Sequence, residues 1–93
     1  MGMIVCPEGV VQMVTPSNGT NYDLEELQKI VEGYIEIVRL DKDTVMVVNE
    51  EGKFASEPQV NSVATMIARA HIAIYPNDCI VGRVLICKSE EVK

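Results

Sequence analysis

The chain is 93 residues long, with 8 basic and 14 acidic side chains, a formal net charge of −6, 47% hydrophobic residues and 4% aromatic ones. That length holds one domain, and the apolar content is too high for a disordered chain. The acidic balance argues against a generic duplex-DNA-binding surface, which needs clustered Lys and Arg to neutralise phosphates.

With one Phe, no Trp and three Tyr, aliphatic side chains must fill the core. A domain this small leaves much apolar surface unburied, so a homo-oligomer is the natural expectation. Residues 3–6 form an apolar run, Pro7-Glu8-Gly9 a turn and residues 10–14 a second run. The pair reads as a β-hairpin. Residues 15–21, punctuated by Pro16 and Gly19, read as a loop. Asp23 is then placed as an N-cap, with Glu26 three residues later to complete a capping box and Tyr22 and Leu27 to staple the helix start. Leu24, Leu27, Ile30 and Val31 share one helical face. Gly33 is placed to end the helix in a left-handed conformation.

Residues 34–40 are β-rich, Asp41-Lys42-Asp43 is a turn and residues 44–48 are a strand. Asn49-Glu50-Glu51-Gly52 is a second turn, after which Lys53 and Phe54 begin a short return strand. Connections this short make the meander antiparallel. Residues 55–59 are a connector. Asn61 is a second N-cap, and Val63, Met66, Ile67 and Ala70 recur at helical spacing as the expected buried face. Residues 72–75 either continue this helix or form a strand. Residues 79–87 are almost continuously apolar, the pattern of a central strand buried on both faces. Residues 88–93 are charged and read as a frayed tail. The whole predicts a single α+β domain over residues 1–93, with an antiparallel sheet of about five strands and two helices packed on it.

Catalytic chemistry is not signalled. There is no P-loop, no Gly-rich dinucleotide fingerprint after a strand, no nucleophile elbow and no His-Glu-x-x-His. Cys6, Cys79 and Cys87 are widely spaced, lie among apolar residues and read as buried reduced thiols, and His71 is the lone histidine. No metal or cofactor is expected, and the protein is expected not to be an enzyme. No stretch reads as a signal peptide or approaches the length of a membrane span, so cytoplasm is the expected address.

Four blocks carry a family resemblance. The helix running into Val31-Glu32-Gly33-Tyr34-Ile35-Glu36 looks like a "VGGxIE" ending, with Glu32 where a first Gly is more usual. Val48-Asn49-Glu50-Glu51-Gly52-Lys53 looks like an "xNEEGK" turn. Asn61 with Ala64-Thr65 looks like an "NxxAT" block, and the run from Asp78 to Leu85 looks like a closing "DxIxGxxL" strand. In this order, over residues 24–86, they resemble domain-of-unknown-function family 3846, small proteins of bacteria, phages and mobile elements. Gly33 alone is expected to terminate the helix, so the Glu at position 32 puts no chemistry in doubt. The resemblance implies an α+β fold and a mobile-element setting in a bacterial host cell. Small proteins of that setting often act against host defence, which is an associational argument.

Two functional expectations follow. In the first, a homo-oligomer sequesters nucleotide-type immune signals in pockets between subunits. Asn61 and Thr65 sit at a helix start whose N–H groups can hold a phosphate, Gly82 allows close approach and Arg83 meets an anion. In the second, the chain is an acidic protein-interaction module. It inhibits a host nuclease in an anti-CRISPR-like or DNA-mimic-like way, or serves as an accessory subunit, with Asn49, Glu50, Glu51 and Glu57 facing a basic partner. The plainer reading of each residue is structural. Asn49 belongs to a turn, Asn61 to a cap, Thr65 to a helix flank, Arg83 to an internal ion pair and the glutamates to a solvated face.

Overall fold

The computed structural model describes residues 1–54 and 56–92, so Ala55 of the expected connector and Lys93 of the expected tail lie outside the described residues. Strands β1 (Gly2–Val5) and β2 (Val11–Val14) are joined by the predicted turn, where Gly9 takes φ 94. Helix α1 (Leu24–Val31) is followed by β3 (Ile35–Arg39) and β4 (Thr44–Asn49), helix α2 (Ser62–Ala70) and finally β5 (Val84–Lys88). The strands form one five-stranded sheet in the order β2-β1-β5-β4-β3, and every neighbouring pair is antiparallel. Two local hairpins therefore supply the flanks. The last strand returns to join them, pairing Val5 with Val84 on one side and Val47 with Leu85 on the other.

Side chains alternate across the pleat, and each face of the sheet takes one helix. Ile4, Val45, Val47, Leu85 and Cys87 pack with Leu27 and Val31 of α1 and with Tyr22 before it. Val5, Met46, Val48 and Val84 pack with Ala64 and Ala68 of α2 and with Ile80. The α+β architecture, the five strands and the two helices are as the sequence predicts, and the layers are helix, sheet, helix.

Both helices start where expected. Asp23 Oδ1 accepts the Glu26 N–H at 2.9 Å and Asn61 Oδ1 accepts the Ala64 N–H at 3.1 Å. The capping box at α1 is only half formed, because the Glu26 carboxylate turns away to accept the Ser17 N–H and hydroxyl instead. Acidic Glu25 and Glu26 in the first turn and Lys29 in the last suit the helix dipole.

Other expectations are corrected. Lys53 and Phe54 lie in a single 3-10 turn (Gly52–Phe54), not a return strand. The apolar run 79–87 is a strand only from Val84. Gly82, at φ 82, turns the chain, and before it only Val81 bridges Val60. Residues 72–75 are neither helix nor strand. Of the expected face of α2, Val63 and Ile67 pack partly buried on the core, but Met66 is 68% exposed and Ala70 is exposed, and the fully buried residues are Ala64, Thr65 and Ala68. The tail is not frayed through residue 92. Ser89–Glu91 make a 3-10 turn, Val92 bridges Tyr22, and the Tyr22 N–H donates to the Glu91 carbonyl at 2.7 Å. The buried Glu91 carboxylate anchors that turn by accepting the Met1 ammonium at 2.5 Å and the Lys88 N–H at 3.0 Å. Burial alone raises the Glu91 pKa, but those two partners outweigh it and hold the carboxyl below its ordinary value.

Candidate functional site

Asn61 and Thr65 are drawn inward. Asn61 is 0% exposed, and its amide donates to the Val5 and Gly82 carbonyls at 2.9 Å each while its oxygen caps α2. It thus ties β1, the loop before β5 and the start of α2 together. Thr65 is 5% exposed, and its hydroxyl accepts the Ile80 N–H at 2.9 Å and faces the Ile80 carbonyl at 3.4 Å. All the hydrogen-bonding capacity used at these two residues is directed to main chain, and neither presents a polar group to the surface.

Gly82 and Arg83 remain partly accessible in a shallow cleft of about 430 Å³ with Cys6, Glu8 and Glu32. Gly82 is needed for its backbone: a Cβ there would meet nothing within 4 Å, but φ is 82. The Arg83 Nε donates to the Ile30 carbonyl at 3.1 Å and so fastens the entry of β5 to α1. With two carboxylates beside it, this cleft does not favour an anion.

Asn49 is part-buried and closes α1. Its amide donates to the carbonyls of Val31 at 3.1 Å and Glu32 at 3.3 Å, and its oxygen accepts the Glu51 N–H at 2.8 Å. This explains Gly33, whose added Cβ would sit 2.6 Å from the Asn49 Nδ2. Gly33 is therefore required for close approach, and the left-handed residue expected at Gly33 is Glu32 instead, at φ 65. Glu50, Glu51 and Glu57 are exposed, and Glu50 lines a cleft.

That cleft is an open groove of about 890 Å³ on the α2 side of β3. One wall is β3, an edge strand of the sheet, with Glu36 and Val38 on the groove face beside Val48. The other wall is the segment from Ile72 to Val81, with Phe54 also at the rim. Phe54 is 85% exposed, Ile72 89% and Tyr75 78%. Lys53 and Asp78 form an ion pair across the groove. Asp78 also accepts the Cys79 N–H at 2.8 Å. The hydrogen bond from Lys53, followed by that from Cys79, lowers the Asp78 pKa, and the same bond, which Asp78 accepts, raises that of Lys53. Because both groups are solvated, the pair orients the wall more than it stabilises the fold. Glu36, Glu50 and Asp78 outnumber Arg39 and Lys53 around the groove.

Ile72 has the least expected backbone on that wall. The end of α2 closes with the Ile72 N–H on the Arg69 carbonyl at 3.0 Å and the Ala73 N–H on the Ala68 carbonyl at 2.9 Å. This is a Schellman closure, whose left-handed position is usually glycine. Here Ile72 occupies it at φ 55. A β-branched residue in that region is a strained outlier, and the closure leaves its apolar side chain exposed on the groove. The sequence does not point to the groove: Phe54 reads as part of a short return strand and residues 72–75 as helix or strand, and neither reading leaves large apolar side chains exposed. The signal available in the sequence is an Ile, not a Gly, two residues after the end of α2, where a helix-closing residue is expected.

Among the described residues no group of three or more His, Cys, Asp or Glu side chains converges to hold a metal ion. Among them, no helix is long and apolar enough to cross a membrane. Cys87 is buried, and burial, reinforced by Glu91, raises its thiol to a pKa of about 11. Residues 1–93 match the family model described as "Domain of unknown function (DUF3846)", the whole chain, and the chain belongs to that family. No curated protein and no solved structure matches it.

Proposed function

We propose that this family member is a non-enzymatic binding protein that takes an extended, basic segment of a protein partner in the groove beside β3. The observation that carries the reading is the groove itself: three large apolar side chains, Phe54, Ile72 and Tyr75, stand exposed around a groove whose other wall is the edge strand β3. An edge strand leaves alternate N–H and C=O groups unpaired, and a partner strand can satisfy them while apolar side chains supply contact area. Glu36 and Glu50 on the groove, within a chain of net charge −6, favour a basic segment and speed its approach. The mobile-element setting suggested by the sequence supports a host-defence protein in the bacterial cytoplasm, such as a nuclease, as the partner, with this chain as its inhibitor or an accessory subunit.

The nucleotide-sequestering reading keeps one observation in its favour. Phe54 and Tyr75 are exposed on the same groove, and an aromatic face can stack on a base. It draws no support from Asn61 or Thr65, which are buried. Calorimetry separates the two readings. Lysine- and valine-rich extended peptides should bind, more weakly as salt rises, and lose binding in Phe54→Ser. Cyclic dinucleotides and ADP-ribose-type compounds should give no heat. Nucleotide binding at micromolar concentration, lost in the same variant, would reverse the order of the readings. Silence from both panels would remove the groove as a binding site.

A further inference from the structure

The opposite edge of the sheet carries a different message. Residues 10–14, Val-Val-Gln-Met-Val, contain no charge and no proline in a chain of net charge −6. Native edge strands are normally guarded by lysine, proline, bulges or a covering element. β2 has an unbroken register with β1 and shows Val10 57%, Val11 48% and Met13 59% exposed. Val11 and Met13 lie opposite Val5 and Met3 and so share the α2 face with them.

We propose that β2 pairs with β2 of a second copy of this chain, antiparallel and about a two-fold axis through Gln12, so that two five-stranded sheets become one. The register follows from geometry. The Cys6 N–H donates to the Val10 carbonyl at 2.9 Å, so Val10 turns its polar groups toward β1. Alternation then turns those of Val11 and Met13 outward. A two-fold axis perpendicular to the sheet keeps each residue on its own face, so opposed residues must share parity. Centring the axis on Gln12 opposes Val11 to Met13 of the other copy, and both are outward-facing residues able to exchange hydrogen bonds. It also places Val10 against Val14. Moving the centre to Val11 or Met13 would draw Gly9 or Thr15, outside the strand, into the pairing.

The neutrality of the strand is what selects a second copy. Two chains of equal negative charge repel each other least where neither presents a carboxylate, whereas the β3 edge places Glu36 on the groove face. The opposed Gln12 amides can donate to and accept from one another. This pairing is independent of the groove, which lies at the other end of the sheet.

Sedimentation of the full chain tests it. The wild-type chain should run at twice the chain mass at high micromolar concentration. Met13→Lys, at an exposed position, should run at the single-chain mass with unchanged circular dichroism, and its urea midpoint should match that of wild type diluted until it too runs as a single chain. Gln12→Cys should form a disulfide between the two copies at position 12, located by peptide mapping, while Lys29→Cys on exposed α1 should not. A chain that stays at single mass at every concentration would overturn the proposal. So would a dimer that survives Met13→Lys, or one in which position 12 fails to cross-link.

Discussion

Replacing Asn61 by Ala is the sharpest perturbation available to the fold. The side chain is 0% exposed and its hydrogen bonds run to the Val5 carbonyl, the Gly82 carbonyl and the Ala64 N–H at 2.9, 2.9 and 3.1 Å. Loss of the cap costs about 1 kcal/mol. The buried Val5 carbonyl, deprived of its donor, costs about 1 kcal/mol or more, and the part-buried Gly82 carbonyl, which water can reach, costs less, so the sum is about 2–3 kcal/mol. Against a domain stability of about 5–15 kcal/mol, that is a large fraction. Asn61→Ser separates the components, because a hydroxyl can still cap α2 but does not reach both carbonyls. It should recover about 1 kcal/mol relative to Ala. Urea unfolding followed by circular dichroism reads both, with the midpoint falling at unchanged slope. An Ala variant within 1 kcal/mol of wild type would refute the bridging role. A variant with normal stability that lost ligand binding would restore Asn61 as a binding residue.

The two left-handed non-glycine residues make an informative pair. Glu32→Gly should raise stability by about 0.5–1 kcal/mol in urea, since it relieves φ 65 at the end of α1. Ile72→Gly should stabilise by a similar amount, about 1 kcal/mol, while weakening partner binding in calorimetry, because its exposed side chain is retained at the cost of strain. Thiol labelling at pH 8 should modify Cys6 and Cys79, which are part-exposed, and spare Cys87 until urea unfolds the chain, because Cys87 is buried with a pKa of about 11. The Glu91 carboxyl has a lowered pKa in the folded state, so its contribution is present above the unfolded value near 4.5 and is lost as pH falls through the lower folded value. Glu91→Gln should therefore flatten the acid limb of stability against pH, and an unchanged limb would remove the Met1–Glu91 contact from the account.

Local signals were legible in the sequence and non-local ones were not. The caps at Asp23 and Asn61, the turn at Gly9 and the hairpin pairs each follow from chemistry within a few residues. The placement of β5 between β1 and β4 depends on contacts across most of the chain, which periodicity does not encode. Asn61 shows why function was harder to read than fold. As a cap it looks the same in sequence whether its amide faces solvent or two buried carbonyls. The phase of α2 slipped because Ala64 and Ala68, being small, rank below Met66 in apolarity, yet they are what packs against the sheet. The tail misled for the opposite reason: a charged run reads as solvated, but Glu91 has found a partner ninety residues away. Glu32 and Ile72 break the rule that glycine closes helices, and only coordinates reveal a residue that departs from its own preference.

Amide hydrogen exchange of the chain with and without a bound extended basic peptide tests the central claim most directly. Pairing on the open edge predicts slowed exchange within β3, Ile35–Arg39, and along the loop from Ile72 to Val81, with both effects absent in Phe54→Ser. Protection confined to other elements, or binding indifferent to Phe54, would contradict it.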